Sequence, residues 1–397
     1  MGFDKYKYKF EMSYVDTTKL VAININSENI RSIIIDRDYK DANMPVMVAN
    51  LSLDRNLIDD MILNSNKNLI NVTCYKYICN SDMGSIKELY FREQFAYIMT
   101  EDLNYNADID YAKDNADRKD LIKDISIGLM KIENINKNKQ TSNMVLKNTT
   151  MMGAISMVTS HLPMLIEKFD YNKTISQLVI PPLTSVAKTI AYLNNVAVFY
   201  SRKYRFFIDY DCTYLLSSKG ISVSKSGDNM KSVLLVVSKP NDHSSNVEGI
   251  YTNTAQKNYQ INVNAKDTEV SIDKVREKSF TNITGVGSSG MTGEQDLDIN
   301  VSDYSTNKTE LTRIPNENTN MMSNIKSDKE SSSVKVYINK DGIDTSVLTL
   351  NKEYIIKNYD KHSDKDGRFL LNRKLEIFMA EDDSFALSTS LYFEIVK

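Results

Sequence analysis

Residues 5–12 alternate strictly, with Tyr6, Tyr8, Phe10 and Met12 on one face and Lys5, Lys7, Lys9 and Glu11 on the other. A period of two marks a β-strand with one buried and one wet side. The pattern constrains the fold because it recurs at both ends of the chain. Ile30 to Ile35 and Val46 to Leu53 read as further strands, followed by Leu69 to Cys79, Glu88 to Met99 and Leu121 to Ile132. After Val334 the alternation returns in Val334, Val336 and Ile338, with strands expected at Tyr354 to Tyr359, Leu375 to Met379 and Leu391 to Val396. Asp341-Gly342 predicts a hairpin, and Asp366-Gly367 and Asp382-Asp383 mark further turns. One helix interrupts the first third. Asp54 is a good N-cap for Arg55 to Asn64, where Leu57, Ile58, Met61 and Ile62 share a side.

The middle of the chain changes character. From Ser142 to Asp170, Met151, Ala154, Ile155, Val158 and Leu162 step by three and four, the apolar stripe of a helix that ends near His161 and Pro163. Core packing explains that stripe better than a partner groove does. A buried strand, Leu178 to Ile180, then meets Pro181-Pro182, which stops it and pre-sets helix entry. A helix is expected over Thr184 to Leu193, capped by Ser185 or Thr184, with Val186, Ile190 and Leu193 against a sheet. Asn194-Asn195 suits a left-handed end. Strands follow at Val196 to Tyr200 and Tyr204 to Tyr210, then Ser232 to Ser238, Gln260 to Val263 and Val270 to Ile272.

Residues 276–333 are rich in Ser, Thr, Asn and charge with almost no apolar period, so they read as a linker. A chain of 397 residues exceeds one average domain. The expected division is 1–135 as a small β-barrel or sandwich, 136–275 as an α+β unit, 276–333 as the polar linker and 334–397 as a second β unit. The last is too thin to stand alone and would pack on, or complete, an earlier β domain.

Composition excludes several function classes. A formal net charge of −3 argues against nucleic-acid binding through a broadly basic surface. Cys74, Cys79 and Cys212 are an odd set without a disulfide framework, so a reducing compartment is expected. Cys74 and Cys79, five apart on one strand, would face opposite sides. Residues 1–6 hold no secretory core, and Val233 to Val237, the longest apolar run, is too short to cross a bilayer. A soluble protein without a membrane-spanning segment is expected.

No residue pattern supports catalysis, a cofactor or a metal. Gly285 to Gly290 matches GxGxxG but lacks the strand-to-helix context a dinucleotide needs. Asp360 to Gly367 would place His362 and Arg373 where a calcium loop needs acids. His161, His243 and His362 form no zinc pattern. Cys212 reads as a small core hydrophobe, Asp242-His243-Ser244 is a triad in letters only, and no GxSxG occurs. With 52 acidic residues, chance carboxylate pairs carry no weight.

The run "IPPLTSVAKTIAYLNNVAVFYSRKYRFFIDYDCTYLLSS", with the strand "SVLLVVS" after it, resembles the middle domain of phage baseplate and tail hub proteins. These are the tail-tube-capping family similar to late control protein D, and the likeness is clearest from about Lys147 to Ser238. It implies an α+β, predominantly antiparallel β fold, with two tube-type β-barrel domains and an α/β middle domain. It implies a homotrimer whose β domains form a pseudo-sixfold ring on the tail tube or distal tail protein. The other side would meet a threefold spike or tail fibre protein, and DNA would pass through a lumen of neutral or acidic side chains. The implied place is the virion's tail baseplate or tip, assembled in the host cytoplasm, with no enzyme activity. The alternatives are another tail, baseplate or adhesin-like component, and a tail-associated cell-wall hydrolase.

Overall fold

The computed structural model describes residues 5–16, 21–39, 42–63, 69–80, 84–98, 122–139, 141–159, 164–166, 174–195, 204–210, 212–217, 233–238, 250–253, 258–264, 268–271, 283–288, 294–299, 333–338, 344–350, 352, 354–358 and 367–395. The first third supplies β1 (Lys5–Asp16), β2 (Val21–Ile25), β3 (Ile30–Asp38), β4 (Val46–Asp54), α1 (Arg55–Leu63), β5 (Leu69–Asn80), β6 (Gly84–Ile98) and β7 (Ile122–Lys131). The middle supplies α2 (Ile132–Lys139), β8 (Thr141–Thr150), α3 (Met151–Val158), β9 (Met164–Ile166), β10 (Thr174–Ser185), α4 (Val186–Asn195), β11 (Tyr204–Ile208) and β12 (Thr213–Ser217). Then come β13 (Val233–Ser238), β14 (Ile250–Asn253), β15 (Asn258–Asn264), β16 (Thr268–Ser271), β17 (Ile283–Ser288) and β18 (Glu294–Ile299). The last strands are β19 (Ser333–Ile338), β20 (Tyr354–Asn358), β21 (Gly367–Glu381) and β22 (Ser384–Ile395).

The fold is predominantly antiparallel β with few helices. Eight strands close a barrel in the order β21-β3-β4-β7-β6-β5-β1-β22, and the β21–β22 pairing completes the circle. The alternation read in the sequence is the inside of this barrel. Tyr8, Phe10, Met12 and Tyr14 point inward from β1, and they meet Ile33, Ile35, Met47, Leu51, Ile70, Val72, Phe95, Ile127 and Phe378. Edge-to-face rings stack through the centre, with Phe378 centroids 5.1 Å from both Tyr8 and Phe10. Eight strands leave an interior just wide enough for side chains, so the barrel is a packed core and not a pore.

The closing hairpin β21–β22 is longer than the barrel needs. Its turn is two residues, Asp382 and Asp383, with Asp382 in the left-handed region at φ 45°. At the other end a bulge at Asn372 interrupts the register between Leu371 and Arg373. On one side of the bulge β21 pairs with β3, and on the other it pairs with β20. Likewise β22 meets β1 at Phe385 and β19 from Thr389 to Glu394. The hairpin therefore runs out of the barrel into a second sheet, ordered β14-β15-β13-β20-β21-β22-β19-β16. In it β13 is parallel to both β15 and β20.

The middle elements form a separate layer. β8 and β10 make a two-stranded ribbon, with α3 and α4 packed on one face through Ala154, Ile155, Val158, Val186, Ile190 and Leu193 against Leu178 and Ile180. β11, β12 and β9 make a three-stranded sheet, parallel between β12 and β9.

Several expectations are corrected. Thr141–Thr150 is a strand, and the helix covers only Met151–Val158, because Thr150 caps it through the Gly153 N–H at 3.1 Å. Pro181-Pro182 does not stop its strand. β10 continues to Ser185, and pairing with β8 slips between Ile180 and Thr184, where prolines without an N–H sit in a bulge. α4 consequently starts at Val186, with the Ser185 hydroxyl accepting from the Lys188 N–H at 3.3 Å. It runs through Asn194 and Asn195, neither of which is left-handed. Asp341-Gly342 lies outside the described residues, and the strand before it, β19, pairs with β16 and β22. The expected linker contains a hairpin, β17–β18. Val196 to Tyr200 lies outside the described residues.

Candidate functional site

The barrel's apolar filling gives way at one mouth to buried charge. The inward alternation Ile33, Ile35 on β3 continues to Arg37, and inward of Phe378 on β21 stand Glu376 and Lys374. Glu376 is fully buried, yet its carboxylate is held low, at about 2. Burial alone would raise it; Lys374 and Arg37, with hydrogen bonds from Lys374 and Tyr90, outweigh that cost. Lys374 Nζ lies 2.9 Å from Glu376 Oε1, and Arg37 pairs with Glu376 Oε2. The Tyr90 hydroxyl donates to Glu376 Oε1 at 2.9 Å. It reaches inward because a bulge between Cys74 and Tyr75 leaves Tyr90 as the extra residue of β6.

Two outside segments seal this mouth. Asp209, between β11 and β12, accepts from Arg37 Nε at 3.0 Å, and the Arg37 guanidinium sits 5.2 Å from the Tyr210 ring centroid. Lys131 donates to the Tyr210 carbonyl at 2.8 Å and pairs with Glu93 at 2.8 Å. Asn134 of α2 donates to the carbonyls of Ile208 and Asp209, both at 3.3 Å. Arg205 donates to the Leu371 carbonyl and to Asn372 Oδ1, at the hairpin's bulge. From the other side, Asp344 pairs with Lys76 at 3.0 Å, and Lys374 donates to the Thr345 carbonyl at 2.8 Å. Burial disfavours the Lys76 ammonium, but Asp344 and Glu88 together keep it above its ordinary value.

Between these segments lies a cleft of about 410 Å³, lined in part by Arg37, Tyr39, Lys76, Tyr90, Asp209 and Lys374. Burial, with Glu376 or Asp209 nearby, pushes the phenols of Tyr39 and Tyr90 well up, so they stay protonated. The carboxylates at the mouth share cations: Arg37 pairs with Asp209 and Glu376, Lys76 with Asp344 and Glu88, and Lys131 with Glu93 and Glu133. Such a constellation locks segments together rather than poising a proton for transfer.

The residues weighed as chemistry are not brought together here. Cys74 is buried in β5, Cys79 further along it is half-buried, and Cys212 precedes β12 with its thiol donating to the Thr213 carbonyl. His161, His243, His362 and the stretches 242–244 and 360–366 lie outside the described residues. Gly285 and Gly287 lie in β17, which pairs with a strand. Among the described residues no group of three or more His, Cys, Asp or Glu could hold a metal ion. Also among them, no helix is long and apolar enough to cross a membrane. The mouth network was missed because its members are scattered over the chain. The usable signal was charge at inward positions, Arg37 after Ile35 and Glu376 before Phe378.

A filled eight-stranded barrel, sealed by ion pairs and extended by its own closing hairpin, defines a predominantly antiparallel β-barrel class of protein. The chain belongs to the family described as Bacteriophage PBS1 gene 109 protein, which it matches over residues 5–395. No curated protein sequence matches it. A solved structure similar to it is the tail protein from Neisseria meningitidis MC58, at 11% identity and TM-score 0.49, covering 97% of this chain and 96% of that one. The prophage MuSo2 43 kDa tail protein from Shewanella oneidensis is similar at 10% identity and TM-score 0.45, covering 96% and 98%. The Francisella PdpA-VgrG complex is similar at 9% identity and TM-score 0.42, and there this chain spans 58% of the matched chain.

Proposed function

We propose that this chain is the structural hub of a phage tail tip, a trimer that joins the sixfold tail tube to a threefold spike or fibre. The observation that carries the proposal is the shared hairpin. One pair of strands, β21 and β22, closes the barrel and then forms the middle of a second sheet. In this reading a single chain would present two β units side by side, and three chains would present six around an axis. Membership in a bacteriophage family supports a virion role. The resemblance of the "IPPLTSVAKTIAYLNN" segment to tail hub proteins is what favours the hub among tail components.

In this reading the mechanism is geometric. The barrel interior is packed, so DNA would pass through the ring's central channel and never through a barrel. The mouth network would hold the barrel, the β11–β12 turn and the 344–350 segment as one body, so that load is borne without domains sliding. Ring closure would cover the sheet edges that otherwise invite aggregation. Immunogold labelling of intact virions tests the placement. Gold confined to the tail tip supports the hub, and gold on the capsid, or none on virions, overturns it. Clearing of cell walls by the purified chain in a zymogram would instead favour a hydrolase.

A further inference from the structure

The outer face of the barrel carries charge that the mouth network does not use. Three neighbouring strands set it in rows. β1 exposes Lys5, Lys7 and Lys9 at every second position, and β6 exposes Lys87 and Arg92. Between them β5 places Tyr77 opposite both Lys7 and Lys87, and Tyr75 opposite Lys9. The bulge between Cys74 and Tyr75 shifts the β6 register, which brings Arg92 onto the same side as Lys87. Lys87 Nζ lies 3.6 Å from the Tyr75 ring centroid, and Lys9 Nζ lies 5.8 Å from that of Tyr77. Arg92 donates to the Tyr75 hydroxyl at 3.5 Å. These contacts stand the long side chains on aromatic supports with their charged ends in water.

Among the described residues none of the five cations makes an ion pair. The acids beside them on β6, Glu88 and Glu93, are taken up by Lys76 and Lys131. The one acid of the lysine row on β1 is Glu11, beyond Lys9. A chain of net charge −3 thus gathers five cations on one sheet face. The form of that charge selects its occupant. A bilayer needs apolar side chains to insert, and Leu89 is the one exposed large apolar residue described on this face. Single-stranded bases need free aromatic faces to stack on, whereas Tyr75 and Tyr77 hold lysines over their rings. A duplex backbone needs only cations in a row. Successive lysines of β1 step by roughly 6.6–6.8 Å. Each strand of a DNA duplex carries one phosphate per about 3.4 Å of axis, so every second phosphate keeps that step.

We propose that this face binds the phosphate backbone of double-stranded DNA, without reading its sequence. The contact goes beyond the hub reading and needs no ring. Such a grip opposes sliding, so within a hub the face would stand at a rim and not along the channel.

Fluorescence anisotropy of a labelled random-sequence duplex with the full chain tests the proposal. Binding should be the same for unrelated sequences and should weaken steeply with salt. Lys5→Gln/Lys7→Gln/Lys9→Gln should weaken it at least about tenfold in low salt and reduce the salt slope by roughly one per lysine. Lys87→Gln alone should reduce the slope by about one, a readout that a small loss of stability does not move. Lys5→Arg/Lys7→Arg/Lys9→Arg should keep the binding. The exposed set Lys139→Gln/Lys147→Gln/Lys188→Gln makes an equal charge change elsewhere and should leave it unaltered. The proposal is overturned if the wild type binds no duplex in low salt, or if the face variants keep its affinity and slope. It is equally overturned if the distant set weakens binding as much. Binding to phosphatidylglycerol vesicles that the same face variants lose, with no binding of duplex, would reassign the face to a membrane.

Discussion

Arg37 of β3 and Asp209, 172 positions apart in the chain, meet at 3.0 Å at the barrel mouth. The same guanidinium pairs with Glu376, so one side chain joins the barrel wall, its closing hairpin and the turn between β11 and β12. Backbone contacts follow the same route: the Ile208 N–H donates to the Asn43 carbonyl, and the Tyr39 N–H to the Asn372 carbonyl, both at 2.8 Å. The sheet layers of this protein are thus held by polar bonds at a buried seam as well as by apolar packing.

Removing one partner from a buried ion pair leaves the other charge uncompensated. Arg37→Ala should therefore cost about 3–5 kcal/mol of stability. Arg37→Met, which keeps the volume, should still strand Asp209. Urea denaturation measures both; a loss below about 1 kcal/mol, the range of an exposed pair, would show the seam is not structural.

Glu376 sets a pH window. Its carboxyl is held at about 2 in the fold against an ordinary value of 4.5, so the folded state prefers the ionised form. A group with a depressed folded pKa contributes stability above its unfolded value and loses it as pH falls. Stability should decline from about pH 4.5 towards about pH 2, and Glu376→Gln should flatten that part of the profile while lowering the plateau above it. Thermal melts across the acid range read this directly. An unchanged slope in the variant would remove Glu376 from the account.

The faces of the strands were legible in the sequence, because period two survives wherever one side is buried. Tyr8, Phe10 and Met12 are inside as their spacing demands, and Asp54 caps α1 through the Asn56 N–H at 2.8 Å. What was not legible is pairing over long separation. Nothing local says that β1 will sit beside β22, or β3 beside β21. The helix α2, "IENINKNK", was missed because it buries little beyond Asn134. β8 was read as helical because the apolar steps of α3 follow directly, and only its pairing with β10 decides the matter. Arg37 could be seen in line with Ile35, but Asp209 could not be seen as its partner.

The proline bulge makes its own prediction. Pro181 and Pro182 restrict the unfolded chain and supply no N–H at a point where β8 offers no partner. Replacing both with Ala should cost roughly 0.4–1 kcal/mol per site through unfolded-state entropy. Chemical denaturation should show that loss without a change in secondary structure by circular dichroism. A stabilised double variant would mean the prolines strain the strand.

The α4 cap is separable from the bulge. Ser185→Ala removes the acceptor for the Lys188 N–H and should cost about 0.5–2 kcal/mol, whereas Ser185→Asp should retain most of the stability. Equal losses in both variants would place the role of Ser185 in its pairing with Thr141 instead.

Negative-stain electron microscopy of the purified chain, alone and with neighbouring tail proteins, tests the central claim most directly. The account predicts threefold rings with an open central channel, each ring showing six β units around its rim. Isolated particles that persist after the tube and spike proteins are added would contradict it.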